Sequence, residues 1–326
     1  MIEDSEDGLI VAYLLDGTGG GKRLDWEDIY RWKPEDGVLW VHLNYTQARA
    51  QQWLAENSGQ DDIVYGNLLA EDTRPRSTVH KKGLLLTLRG VNTNPGADPA
   101  DMVTVRIYIT NNLIISTRNR RLLSINDIVQ ALDSGDGPKA SGEFLVFLTD
   151  RLSMRLDNVI NELEETVDLL EEEVLQHQHT DIRHRLNRVR HESITLKRYL
   201  APQRDAMSRL YTEKVAWLED EDRMYLREIS DRVLRYVEDL DSARERAALI
   251  QEELTNLVNE EMNQRMYILS IIAATFLPLG FLTGLLGVNV GGIPGNQNSS
   301  AFWEVTAGLV LISILQILFF RHKKWM

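Results

Sequence analysis

The sequence predicts an α+β domain followed by long helices and two C-terminal transmembrane helices. Three observations indicate this fold class. Runs rich in Val, Ile and Tyr alternate with short helical segments through residues 1–140. From residue 143 to residue 258, apolar side chains recur every three or four positions, which is the helical period. Two apolar runs then close the chain, each near the ~20 residues that cross a ~30 Å hydrocarbon layer.

Residues 1–140 predict a domain in which strands and helices alternate. Short segments of β-branched and aromatic residues favour strands, and polar segments with a helical period separate them. The predicted strands are Leu9–Leu15, Val38–Leu43, Leu84–Val91, Val103–Thr110 and Leu113–Thr117. The predicted helices are Trp26–Trp32, Gln47–Asn57 and Asp62–Glu71.

Caps and turns in this domain can also be predicted. Thr46 and Asp61 precede two of the helices and are N-cap candidates. Asn111-Asn112 predicts a tight hairpin, because Asn tolerates positive φ. The segment Val91–Asp101 contains two prolines and a glycine, so we expect a loop there.

The segment Gly17–Lys22 resembles a phosphate-binding loop only superficially. That motif needs a glycine five residues before its last glycine, and the chain has Asp16 there. Arg23 stands where a Ser or Thr would hold the metal. We therefore expect a flexible turn and no nucleotide binding.

Two amphipathic helices follow a break at Ser134–Pro138. In Glu143–Gln176 the apolar positions are 145, 148, 152, 156, 159, 163, 167, 170 and 174. Asp181–Leu210 has a similar period, and Pro202 is expected to kink or end this second helix. The two should pack as an antiparallel hairpin.

A third helix is predicted from about Asp222 to Leu286, with Pro278 as its first interruption. At 1.5 Å per residue it would be roughly 95 Å long and would run from the cytoplasm into the membrane. Such a helix cannot bury its apolar stripe alone, so we expect neighbours, most simply further copies of the chain.

The apolar runs Tyr267–Leu286 and Phe302–Phe320 predict two membrane spans, the first beginning at about residue 266. Lys and Arg concentrate on the cytoplasmic side of membrane proteins. Basic residues follow the second span, Arg265 precedes the first, and the connecting loop has no Lys or Arg. Both termini should therefore be cytoplasmic, with Trp303 and Trp325 at the interfaces.

The resulting organisation has six segments. They are an α/β cytoplasmic domain (1–140), a helical hairpin (141–221), a stalk continuing into the first span (222–286), an extracytoplasmic loop (287–301), the second span (302–320) and a basic tail (321–326).

Composition excludes several classes of function. The absence of cysteine excludes disulfides, thiol catalysis and Cys-based zinc sites. A net charge of −13 argues against nucleic acid as a partner, because phosphate contacts need clustered Lys and Arg. The acidic N-terminus has no features of a signal peptide, so targeting should come from the C-terminal spans. No arrangement of residues suggests an enzyme or a resident cofactor.

The loop after the first span carries the most specific motif. It reads Gly287-Val288-Asn289 and continues VGGIPG. Taken alone, the glycines and proline are also typical of an ordinary turn. The chain has a long soluble N-terminal part, two C-terminal spans and a Gly-x-Asn element between the spans. In this it resembles the CorA superfamily of divalent-cation transporters. The usual motif there is Gly-Met-Asn, and the Val variant resembles the ZntB-type zinc-transporting branch. Residues 102–127, Pro278-Leu279 and Gly284 fit the same pattern.

The resemblance implies a CorA-like funnel, a homopentamer, and a bacterial inner-membrane location with the lipid bilayer and divalent cations as its partners. It implies Zn²⁺ as the transported ion, with other divalent cations as alternatives, and coupling to protons. In this family the first spans surround the pore, and Gly287, Val288 and Asn289 would form its selectivity loop.

Counting back from Asn289 in helical steps places one stripe toward such a pore. Its members are Asn259, Asn263, Met266, Ser270, Ala273, Leu277, Gly280 and Gly284. The stripe carries no charge, which suits a largely hydrated dication held by amide and backbone oxygens. Rings of Leu277 and Met266 would close the pore by dewetting. The two glycines equally suit close packing of neighbouring helices.

Two further sets of residues are candidates. Glu304, the one acid near the outer face, would either attract cations to the entrance or complement the dipole at the start of the second span. His177, His184 and His191 lie at heptad spacing and would form a zinc-sensing site if their helices brought them together. Surface histidines near a helical turn are the commoner situation.

Three functions follow, of different kinds. The first is zinc transport through a central pore, in which the stripe itself offers no titratable group for proton coupling. The second is a passive CorA-like channel for Mg²⁺, Co²⁺ or Ni²⁺, against which Val288 argues. The third is a membrane-anchored sensor or scaffold, against which the loop motif and the small-residue stripe argue.

Overall fold

A computed structural model describes residues 7–71, 74–176, 181–213, 215–288 and 298–323. The chain divides into two compact units, one up to Gln251 and one from Glu252 onward. The predicted combination of an α/β domain, long helices and two apolar C-terminal helices is confirmed.

The first unit is built on a seven-stranded mixed sheet in the order β2-β1-β3-β7-β6-β5-β4. Its strands are β1 (Leu9–Leu15), β2 (Gly21–Arg23), β3 (Leu39–Asn44), β4 (Arg76–His80), β5 (Gly83–Gly90), β6 (Val103–Ile109) and β7 (Leu113–Arg118). Only β3 and β7 pair in parallel among the described strands. The five predicted strands are confirmed, whereas β2 and β4 are short polar edge strands that the apolar pattern did not indicate.

Helices cover both faces of this sheet. They are α1 (Trp26–Arg31), α2 (Ala48–Glu56), α3 (Asp62–Leu69), α4 (Leu123–Ser134), α5 (Ser141–Leu175), α6 (Ile182–Leu210) and α7 (Asp220–Gly287). Helices α1, α2 and α3 pack on one face around Trp26, Trp53 and Leu68. On the other face α4 and the first turns of α5 pack around Trp40, Phe144 and Leu148.

Two local predictions in this unit were wrong, namely the residue that caps α2 and the backbone conformation of the β6–β7 turn. The N-cap of α2 is Gln47, because the side-chain oxygen of Asn44 accepts both the N–H and the O–H of Thr46. The β6–β7 hairpin forms as predicted, but neither Asn111 nor Asn112 has positive φ. The Thr110 hydroxyl closes that turn by accepting from the N–H of Leu113 at 3.1 Å. Asp61 caps α3 as predicted.

The segment after β1 is a hairpin turn, and it leads into β2 rather than a helix. A carboxylate oxygen of Asp16 accepts from the N–H groups of Thr18 and Gly20. The turn therefore lacks the helix N-terminus that a phosphate loop requires.

The α5–α6 hairpin is confirmed, and its apolar stripe is buried almost as predicted. Ile160 takes the buried place expected of Val159, which is half-buried. Pro202 lies inside α6, which continues to Leu210 and so does not end at the proline.

Helix α7 is one unbroken helix of 68 residues, and Pro278 lies within it. Its apolar stripe is mostly buried from Leu226 to Leu254, and beyond that point the apolar residues are exposed or half-buried.

Polar contacts fix the first part of α7 to its neighbours. Arg232 bonds Asp150 of α5 at 3.0 Å, and the Tyr236 hydroxyl donates to Asp157 at 2.9 Å. Burial, together with this bond, raises the pKa of Tyr236 to about 12. Lys197 of α6 bonds Asp241 at 2.6 Å.

The second unit holds the end of α7 and α8 (Ala301–His322). Both helices contain an apolar stretch long enough to cross a bilayer, and the chain buries none of either stretch. The core helix of a soluble protein would be mostly buried, so this exposure favours a membrane as the surrounding medium.

Candidate ion pathway

The eight residues of the predicted stripe lie on the last part of α7. Because the helix is unbroken through this region, their spacing of three and four residues puts them within an arc of about 100°. All eight are exposed within a single chain. The largest of them, Leu277, is 72% exposed. The sequence pattern thus becomes one continuous uncovered face.

The opposite face of α7 is partly shielded. Ile271, Thr275, Leu279 and Leu282 are half-buried and lie on the side away from the stripe. The shielded residues of α8 also share one side, and they are Ala301, Thr306, Gly308, Leu309, Ile312, Ser313, Gln316 and Phe320. The described part of this unit contains one other helix, α8, and the stripe itself stays exposed along its whole length.

Ser270 contributes an oxygen acceptor to the stripe. Its hydroxyl donates a hydrogen bond of 2.8 Å to the carbonyl oxygen of Met266. The hydrogen is therefore used within the helix, and the lone pairs of Oγ remain available. Oxygen lone pairs are what a hydrated dication or its water ligands need.

Gly280 and Gly284 leave the last part of the stripe without side-chain bulk. A Cβ added to either residue would meet no atom within 4 Å in the chain. Packing within one chain therefore does not require these glycines. Both earlier interpretations remain, since a pore and close contact with another copy each favour small residues here.

Only part of the predicted selectivity loop can be described. Gly287 is the last residue of α7, and Val288 follows it with half of its surface exposed. Asn289 lies outside the described residues, which resume at Asn298. The role of Asn289 therefore stays a prediction.

Glu304 lies in the first turn of α8. The Ser300 hydroxyl donates to its carboxylate at 2.6 Å, four residues away. This contact ties the carboxylate to the start of the helix, where the dipole favours negative charge. Glu304 is nevertheless exposed, so the structure leaves both of its predicted roles open.

Two of the three candidate histidines lie on one helix. His177 is outside the described residues, and His184 and His191 are both exposed on α6. His191 lines a cavity of about 210 Å³ with Asp98 and Asp101. Among the described residues no group of three or more His, Asp or Glu side chains could hold a metal ion.

The acids of α7 fall into two groups. Asp241 is paired with Lys197, and burial raises the pKa of Asp239, with Glu238 adding to the effect. Glu252, Glu253 and Glu260 are exposed instead. The first group is partly buried or paired within the chain, and the second faces solvent.

One polar residue of this unit was missed. Gln316 lies within the apolar run of α8, and its Oε1 is buried without a hydrogen-bond partner among the described residues. An amide inside an otherwise apolar span is the signal that would have identified it, because polar groups in membrane segments commonly serve function or helix contact.

Comparisons with known proteins agree on the kind of molecule. A family model described as "CorA-like Mg2+ transporter protein" matches residues 35–322. A zinc transport protein ZntB of Yersinia enterocolitica is 38% identical over 317 residues, which are 97% of this chain and 96% of the relative. The divalent cation transporter CmaX of Pseudomonas aeruginosa is 38% identical over 325 residues, 98% of both chains.

The same fold is found in a solved structure of full-length CmaX. It matches this structure with a TM-score of 0.86 at 38% identity and covers 98% of this chain and 99% of that one. The match extends over both units, so the two apolar helices and the α/β domain are shared features.

Proposed function

We propose, for a chain that belongs to the CorA-like Mg2+ transporter family, that it carries Zn²⁺ across the bacterial inner membrane along the exposed stripe of α7. The observation that carries this proposal is the continuous uncharged face from Asn259 to Gly284, left uncovered by α8. Zinc is favoured by 38% identity, over 97% of the chain, to a relative named a zinc transport protein.

A single stripe cannot enclose a path for an ion. Copies of the chain around an axis would bring several such stripes together and shield them from lipid. We therefore propose a homo-oligomer, and the family resemblance favours a pentamer. In it, Asn289 would form a ring at the outer mouth, with amide oxygens that replace part of the hydration shell.

The orientation follows from charge. Arg321 and Lys323 follow the second span, Arg265 precedes the first, and the loop between the spans has neither Lys nor Arg. Both termini therefore belong on the cytoplasmic side, together with the whole first unit. The transporter needs no enzymatic step for this function.

Proton coupling would need a group outside the stripe. None of the eight stripe residues titrates in the physiological range. Coupling would therefore use Glu304, an exposed acid such as Glu260, or water. Zinc transport that does not change with a proton gradient would contradict proton coupling but not the zinc pathway along the stripe.

A second cation specificity is favoured by two observations. CmaX, named only a divalent cation transporter, is as similar to this chain as the zinc transporter is. The stripe also lacks His, Cys, Asp and Glu, the ligands that bind Zn²⁺ directly. A hard, hydrated ion such as Mg²⁺ is therefore the alternative cargo.

The test is uptake of Zn²⁺, Mg²⁺, Co²⁺ and Ni²⁺ by proteoliposomes that contain the purified chain, with and without an inward proton gradient. Zinc uptake that increases with the gradient and decreases in Asn289→Ala supports the proposal. Uptake of Mg²⁺ but not Zn²⁺, unchanged by the gradient, would assign the passive channel instead. A purified chain that moves none of these ions would favour a membrane-anchored sensor.

A further inference from the structure

The α5–α6 hairpin separates positive and negative charge between its two helices. Helix α5 contains ten acidic residues and two arginines. Helix α6 contains eight lysines and arginines and two acids. Some of these charges pair within the chain, as Glu173 does with Arg185, but the outward faces keep their excess. The two faces therefore have opposite sign.

The outward face of α5 is an acidic stripe at heptad spacing. It consists of Asn158, Glu162, Glu165, Leu169, Glu172 and Gln176, all exposed. Leu169, in its middle, is 54% exposed. In the described part of the chain no ion pair reaches Glu162, Glu165 or Glu172, and the hydrogen bond that Glu172 accepts from Gln176 stays within the stripe.

The outward face of α6 has the opposite character. Its stripe consists of Arg183, Asn187, Arg190, Ile194 and Arg198, again all exposed. Ile194 is 52% exposed. No described carboxylate pairs with Arg183 or Arg190, and Arg198 bonds the neighbouring Tyr199 hydroxyl. Each stripe thus has one exposed aliphatic side chain among charges of one sign.

The hairpin holds the two stripes at the same height. Helices α5 and α6 run antiparallel, and the bond between Glu173 and Arg185 fixes their register. Counting back from Glu173 on α5 and forward from Arg185 on α6 by the same number of residues therefore gives two residues at the same position along the hairpin. Glu165 is therefore level with about residue 193, beside Ile194. In a ring whose symmetry axis runs parallel to the hairpin, rotation keeps position along the hairpin constant, so the stripes of adjacent copies would meet in register.

We propose that the acidic stripe of α5 in one copy docks against the basic stripe of α6 in the next copy, closing the ring around the cytoplasmic units. This inference rests on the proposed oligomer and assigns its contact surface. Two different patches of one chain that complement each other form a heterologous interface, which is the kind that closes into a ring. Charge complementarity also opposes the wrong pairings, α5 with α5 and α6 with α6.

The chain has no cysteine, so cross-linking tests this directly. Two variants of the full-length chain, E165C and I194C, would be co-expressed with different tags and oxidised. A disulfide between the two tags must join different copies, because each chain carries one cysteine. We expect this mixed dimer to exceed either same-tag dimer by at least several-fold. The control replaces E165C with E143C, because Glu143 is also an exposed acid of α5 but lies at its other end. E143C paired with I194C should not cross-link.

Charge reversal supplies the second measurement. R190E alone should decrease the oligomer that survives dilution in detergent, and R190E combined with E165R should restore it. An intact oligomer without the mixed cross-link would overturn this inference and leave the proposed function standing. A monomer in every preparation, including the wild type, would overturn both.

Discussion

The hydroxyl of Ser270 donates a 2.8 Å hydrogen bond to the carbonyl oxygen of Met266, its neighbour one turn earlier on the exposed stripe of α7. Thr275 makes the equivalent 2.8 Å bond to Ile271 on the opposite, partly shielded side of the same helix. The two hydroxyls differ in the face they occupy, and they provide a matched pair for testing which face an ion follows.

We expect S270A to decrease zinc uptake by about two- to ten-fold, the range for one hydrogen bond of ~0.5–1.5 kcal/mol. The change removes an oxygen acceptor from the stripe without adding bulk. T275V removes the hydroxyl from the other face while keeping the bulk, and it should change uptake less than two-fold. Initial rates in proteoliposomes measure both, and equal losses would show that the hydroxyls act through helix stability alone.

Leu277 is predicted to form an apolar constriction, since it is 72% exposed on the stripe. An apolar ring excludes water and stops ions when narrow. L277N should therefore raise the resting ion leak several-fold. L285N introduces the same amide at a residue that is exposed but lies off the stripe, and it should leave the leak unchanged. A leak that rises equally in both variants would locate the constriction elsewhere.

Gly142 and Asp222 touch so closely that a larger residue at position 142 would displace the Asp222 carboxylate. A Cβ on Gly142 would overlap the carboxylate of Asp222. G142A should destabilise the first unit by about 1–3 kcal/mol, which is usual for overpacking. Thermal unfolding of the full chain measures this effect.

Gly66 is the matched control. It also lies in a helix, but a Cβ added there would meet no atom within 4 Å. G66A should be neutral or stabilising by about 0.5–1 kcal/mol, because Gly inside a helix is unfavourable. Comparable destabilisation by both substitutions would contradict the contact.

Asp222 should make stability depend on pH. Burial raises the pKa of its carboxyl, and the nearby carboxylates of Glu219, Glu143 and Glu221 raise it further. A carboxyl whose folded pKa exceeds its unfolded value of ~3.9 stabilises the fold less as pH rises through that interval, and the loss is complete above the folded pKa.

D222N keeps an oxygen that can accept the N–H of Glu219 and removes the charge. We expect its unfolding midpoint at pH 7 to exceed that of the wild type by about 2 °C, the shift that roughly 1 kcal/mol gives in a domain of this size. The difference should shrink as the pH falls and disappear below the unfolded pKa of ~3.9. A lower midpoint for D222N at pH 7 would show that the charge stabilises the fold.

The sequence predicted those parts of the fold in which an apolar pattern matches the structural period. Leu9–Leu15 alternates between two covered faces of a sheet, and α5 repeats its apolar residues every three or four positions, so both were found. β4 is a polar edge strand held by pairing with β5, and edge strands need no such pattern. The predictions for Thr46 and Asn111 failed because side-chain bonds to Asn44 and Thr110 replaced the expected N-cap and the expected positive-φ turn.

The candidate pathway was predictable for a similar reason. An uninterrupted helix converts spacing directly into a face, so the stripe from Asn259 to Gly284 could be derived without coordinates. The tertiary contacts could not be predicted from the sequence. The Arg232–Asp150 pair and the placement of Gln316 on the shielded face of α8 depend on which helices meet. Spacing within one helix carries no information about that.

The most direct test of a cation path along the stripe uses two cysteine variants of this cysteine-free chain. Ala273 lies on the stripe, and Leu282 lies on the opposite, half-buried face of α7. Zinc uptake by proteoliposomes would be measured before and after a positively charged thiol reagent, with labelling verified by mass. We expect the reagent to abolish uptake by A273C and to leave L282C and the wild type unchanged. Full uptake by labelled A273C would contradict a cation path along the stripe.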